Sequence, residues 1–208
     1  VKNTTPSPWS DPQTWKYVGP DDGTLHDAIP GAGANVLISA DSTVIVDGLE
    51  TARLHGVRVD GTLRFDPHHD TSLAVDTILV TSAGVFQMGT DPTQPDLLSP
   101  TGFGERIDAN KHAQVTFIDD GAIDLAWDPL QFSRGLVSHG EVSVFGSEVA
   151  GFVPLAQNTA SFAKSLVLAS VPAGWQAGDR LVINGESAPS SDGTSRASAS
   201  SAARRRFR

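Results

Sequence analysis

The chain contains no cysteine. That absence excludes disulfide frameworks, thiolate nucleophiles and cysteine zinc sites, without fixing the compartment. No run of eighteen apolar residues occurs, so no transmembrane helix is expected. Positive charge is scarce: 15 Lys and Arg against 24 Asp and Glu give a net charge of −9. That balance argues against non-specific binding to nucleic acid or anionic lipid. A sustained 3.6-residue apolar period is also missing, and no long helix is expected. The chain opens at Val1 with neither methionine nor an apolar signal core, and reads as a mature or excised piece of something longer.

What is present is turn chemistry. The 20 glycines and 13 prolines stand between short apolar runs, as suits an all-β protein with many turns. With 39% hydrophobic residues over 208 positions, one sizeable domain can bury about 70% of the surface its unfolded chain exposes. The centre of the pattern is residues 54–89, which hold two copies of one unit. Val57 and Val59 precede Gly61, with Leu63 and Phe65 after it; Ile78 and Val80 precede Gly84, with Phe86 and Met88 after it. Alternation at period two makes each run a strand with one buried face. A glycine every twenty-odd residues between strands that never lengthen points to coils stacked along an axis.

Strands are expected at 36–38, 44–46, 54–59, 62–65, 73–80, 85–88, 114–118, around Val142 and Val144, at 165–169 and at 180–184. Residues 89–113 form a long excursion, of the kind that is functional or disordered in a compact domain. One β domain is expected over 1–186. From Ser187 the composition turns to Ser, Ala and Arg with no apolar period, and a disordered tail is expected over 187–208. Its Arg204, Arg205, Arg206 and Arg208 could meet an acidic partner. The simpler account is a terminus with no role, as from a damaged reading frame.

Four groups of residues could carry chemistry. Trp9 and Trp15, in WSDPQTW, either lid the open end of a β core or form a platform on which sugars stack. Asp66, His68, His69 and Asp70, in DPHHD, combine imidazole and carboxylate. They could hold a divalent metal such as zinc or calcium, or act as acid and base; a solvated turn begun by Asp66 and Pro67 is the simpler account. Arg53, Arg58 and Arg64 form a basic stripe. If Val57, Val59, Leu63 and Phe65 face inward, Arg58 and Arg64 face outward, where guanidinium groups suit carboxylates or sulfates. The competing account pairs them with Asp47, Asp60 or Asp66. Asp91, Asp96, Asp119, Asp120, Asp124 and Asp128 supply carboxylates for glycoside hydrolysis or calcium, but sequence alone cannot give their separation. Ser138 and His139 are adjacent on a strand and point to opposite faces, so no nucleophile triad is supported.

Taken in order, WSDPQTW, IPGAGANVLIS, TVIVDG, LHGVRVDGTLRF, ILVTSAGVFQMGT, GLVSHGEVSVFG and WQAGDRLVI resemble the eight-glycine extracellular domain, over roughly residues 9–185. The resemblance implies a right-handed parallel β-helix-like module near the N-terminus of secreted or surface proteins, including hyaluronan-depolymerising and fibrocystin-type ones. It implies a C-terminal continuation in the parent protein and an extracellular location. No catalytic motif of the family matches residue by residue. The function expected is a module that binds or positions a polysaccharide such as hyaluronan, most simply through Arg53, Arg58, Arg64, Trp9 and Trp15. Alternatives are a polysaccharide depolymerase, or a structural cap of a β-helical adhesin. No cofactor is expected apart from the divalent metal considered above.

Overall fold

A computed structural model of the chain describes residues 5–18, 24–122, 134–157, 163–185 and 197–201. In chain order its strands are β1 (Ser7–Pro8), β2 (Tyr17–Val18), β3 (Leu25–His26), β4 (Asn35–Ile38), β5 (Thr43–Val46), β6 (Leu49–Val59), β7 (Thr62–Phe65) and β8 (Thr71–Val80). They continue with β9 (Val85–Met88), β10 (Ala113–Phe117), β11 (Gly135–Ser138), β12 (Glu141–Val144), β13 (Phe152–Pro154), β14 (Leu181–Gly185) and β15 (Ala197–Ser201). One 3-10 turn, Pro12–Thr14, is the sole helical element among the described residues. The all-β class expected from the sequence is what the chain adopts. Two compact units divide it, Val1–Gly146 and Ser147–Arg208, where the sequence suggested one domain through 186.

The first unit is built on two parallel sheets. One runs β1-β5-β7-β9-β12; the other runs β4-β6-β8-β10, with β11 also on β8. The register shows why the glycine units repeat. Val36, Val57 and Ile78 lie side by side across β4, β6 and β8, 21 residues apart at each step, and Leu136 of β11 follows them. On the other sheet Val44, Leu63, Phe86 and Val142 form one column, and Val46, Phe65, Met88 and Val144 another. Each passage of the chain thus places the same apolar positions on the same interior line. Val57, Val59, Leu63, Phe65, Ile78 and Val80 are fully buried there, each stabilising by about 1.5–3 kcal/mol.

The turns between the sheets are equally strict. Thr62 N–H donates to Ser42 O at 2.9 Å, Val85 N–H to Gly61 O at 2.8 Å and Glu141 N–H to Gly84 O at 3.0 Å, so the ladder continues round the corner. Gly61, Gly84 and Gly140 occupy one position in successive turns. A Cβ at any of them would collide with carbonyl oxygens of the preceding passage.

The N-terminal segment covers the first passage. β1 pairs with β5, and Trp9 N–H donates to Ile45 O at 2.7 Å. Trp9 and Trp15 are only 1% and 8% exposed, and they meet edge to face at 4.6 Å. The Trp15 Nε1–H donates to Trp9 O at 2.8 Å. These indoles lid the core; burial to this degree corrects the alternative of an exposed sugar-stacking platform.

Small antiparallel sheets were not foreseen. β2 pairs with β3, two residues each and too short for any period to show. In the second unit β15 lies between β13 and β14. Main-chain pairing therefore orders Ala197–Ser201 within the tail expected to be disordered, because a backbone ladder needs no apolar period; the rest of 187–208 lies outside the described residues. The strand expected at 165–169 is reduced to a single bridge, Leu155 to Leu168, with Val167 O and Pro154 O accepting at 2.8 and 2.9 Å.

Candidate functional site

The excursion after β9 is folded over the outer wall. Arg64 sits in the outward row Ile45–Arg64–Gln87–Ser143, yet its side chain is 4% exposed. Its guanidinium binds Asp96 Oδ2 at 2.6 Å and reaches Glu105 Oε2 at 3.9 Å, both on the excursion. Thr90 Oγ1–H also donates to Asp96, at 3.1 Å, and accepts from Glu105 N–H at 2.8 Å. Outward parity put Arg64 on the expected face. The excursion then covered that face, which corrects its expected exposure.

His68 holds the same excursion lower down. Its Nδ1 lies 3.1 Å from Asp108 Oδ2, and its Nε2 lies 3.7 Å from Glu105 Oε2. The hydrogen bond with Asp108 raises its pKa above the ordinary histidine value against the cost of desolvation, and the charges of Asp108, Glu105 and Asp66 add to the rise. The rest of DPHHD turns elsewhere. His69 Nδ1 meets Asp66 Oδ2 at 2.9 Å, while Asp66 Oδ1 accepts from His68 N–H at 2.8 Å. Asp70 accepts from His112 N–H at 2.8 Å, and that bond is the main cause holding its carboxyl below the usual range. The four candidate metal ligands therefore do not converge on one point: Asp66 and His69 pair with each other, while the His68 ring and Asp70 turn to Asp108 and His112. Among the described residues no three His, Asp or Glu side chains gather to hold a metal.

A second staple went unnoticed in the sequence. β8 is flanked on one side by β10 along Thr71–Val75 and by β11 along Thr77–Val80, with Asp76 at the gap. Buried Asp76 accepts from Thr77 Oγ1–H at 2.9 Å, Asp120 N–H at 3.0 Å and Arg134 Nε–H at 2.6 Å. Burial opposes its ionisation, but these donors together with the Arg134 charge outweigh burial and lower its pKa. Arg134 also meets Asp119 at 2.8 Å and donates to Gly121 O. The available signal was one carboxylate inside the otherwise apolar run LAVDTILV.

The remaining candidates are simpler. Arg58 pairs with Asp60 at 3.0 Å and remains partly exposed. Arg53 is exposed, with no side-chain partner among the described residues. Asp47 accepts from Ser10 N–H at 3.0 Å and from its hydroxyl. Asp91 accepts from Thr93 N–H and Oγ1–H at 2.9 and 2.8 Å, which lowers its pKa. Asp120 lies 3.5 Å from His55 Nδ1. Ser138 Oγ accepts from Gly140 N–H at 3.2 Å and serves its turn. Asp124 and Asp128 lie outside the described residues.

The first unit thus consists of parallel passages closed by a column of glycines, with side loops clamped to its wall by buried charge. The chain belongs to the G8 domain family, whose pattern matches residues 20–153. It is also similar to fibrocystin of Mus musculus, at 36% identity over 92 residues. That alignment covers 43% of this chain and 2% of fibrocystin, so the chain matches a small fraction of that relative's length. No solved structure matches it.

Proposed function

We propose that this chain is an extracellular scaffold module of a larger surface protein, wound as a right-handed parallel β-helix with more chain stacked beyond its last coil. Coil-on-coil parallel register, the 21-residue step and the glycine column support the winding. Its hand follows from the strong preference of parallel crossovers for the right-handed path. The observation that carries the scaffold role is the end of the interior columns. Their earlier members are buried, apart from half-buried Met88, whereas Leu136, Val142 and Val144 are 38%, 40% and 62% exposed. In a stacked array each apolar face is covered by the neighbouring repeat. The test is Val142→Asp with Val144→Asp, made both in the 208-residue chain and in the parent protein. The chain alone should lose less than about 0.5 kcal/mol, as at ordinary surface positions, while the parent should lose several-fold more. Equal small losses in both would refute the stacking.

A second reading, contact with an acidic polysaccharide, is favoured by exposed Arg53, without a side-chain partner among the described residues, and part-exposed Arg58 on the same strand. Calorimetric titration with hyaluronan should show binding that Arg53→Ala plus Arg58→Ala removes; binding indifferent to that change would exclude this strand. The described histidines and carboxylates named above are largely engaged in internal pairs, so hyaluronan should keep its length. Measured shortening would instead favour a depolymerase.

A further inference from the structure

We propose that the outer edge of β4, unpaired among the described residues, is a strand-addition site for an extended, apolar peptide segment of a partner protein. β4 ends its sheet. Ala34 O accepts from His55 and Gly56 N–H at 3.0 and 3.4 Å, and Ile38 O from Asp60 and Gly61 N–H at 2.9 and 3.0 Å, so these residues address β6. Successive residues of a parallel strand turn their main-chain groups to opposite edges. The N–H and C=O of Asn35 and Leu37 therefore face away from β6, and no described strand pairs with them.

The other sheet shows what such an edge accepts. There the equivalent first strand, β5, is paired with the short added strand β1. At β4 a cleft of about 820 Å³ takes the place of that added strand. All four β4 residues line it, facing Trp15, Tyr17, Val18 and Ile29, and Leu37 is 51% exposed. The volume falls within the range of ligand sites. Main-chain donors and acceptors at strand spacing select a polypeptide, and the apolar far wall selects apolar side chains at alternate positions. Lys16, the cation in the lining, is already paired with Asp27. The net charge of −9 favours a segment with basic flanks.

The probe is the synthetic peptide KVTVTVK, titrated against the full chain with backbone amide exchange read by NMR. Binding should slow exchange at Asn35 and Leu37 by at least about tenfold at saturation, the mark of new main-chain bonds. A peptide N-methylated at alternate residues, with the same side chains, should bind at least about tenfold more weakly. Leu37→Pro, which deletes one outward N–H and no bond to β6, should do the same for the unmodified peptide. Equal affinity for the methylated peptide, or unchanged exchange at both residues, overturns the proposal even if Leu37→Pro fails to fold. Protection that rises with protein concentration in the absence of peptide also overturns it, because the occupant would then be a second copy.

Discussion

Single residues bear unusually clear burdens in this chain. At Gly84 an added Cβ meets Val59 O and Thr81 N, main-chain atoms that no rotamer change can move aside. Gly84→Ala should therefore cost about 1–3 kcal/mol, as overpacking does. Gly48, where a Cβ meets nothing within 4 Å, should accept Ala with a gain of about 0.4–1 kcal/mol. Urea unfolding of the two variants checks the contrast, and similar midpoints would refute it. Arg64 makes a different case. Arg64→Ala leaves Asp96 and Glu105 beside each other without their cation, a loss of about 3–5 kcal/mol when a buried pair is broken. A loss under about 1 kcal/mol at neutral pH would show that water enters beneath the excursion.

At the scale of elements, the two clamps respond to pH in opposite directions. His68 binds its proton more tightly folded than unfolded. Its support for the 89–112 excursion is complete below the ordinary histidine value and fades as pH rises through the elevated one. Amide protection at Ile107 and Asp108, taken relative to intrinsic exchange at each pH, should fall over that range, and His68→Gln should remove that fall. Asp76 has a lowered pKa. Its clamp is complete above the usual carboxylate range and is lost as pH falls below it. Asp76→Asn should lower the protection of the Asp120 amide, relative to intrinsic exchange, and make that protection insensitive to acid; unaltered protection there would count against the clamp. The coils themselves were legible in the sequence because their partners lie 21 residues apart, with the same residue types recurring. The clamps were not. Alternation says which face Arg64 occupies, but nothing local says that residues 89–108 return to cover that face. The two-residue strands β1, β2 and β3 are shorter than any readable period. DPHHD looked like one site because its members are neighbours in sequence, whereas a tight turn sends neighbours toward different partners.

For the whole molecule, the compact unit Val1–Gly146 holds every member of the large core cluster. A fragment ending at Gly146 should thus unfold in one cooperative step, with a midpoint close to that of the full chain. Loss of cooperativity in calorimetry would mean that the second unit is needed to fold the first. The return of the chain to its own column at Leu136, after everything between Met88 and Gly135, has a practical consequence. Because register is set by the passages on either side, and by β10 and the clamps between them, length at the exposed tip near Pro100 is a free variable. Foreign segments grafted near Pro100 would be displayed on a rigid post, and related chains could diversify there while their framework stays unchanged.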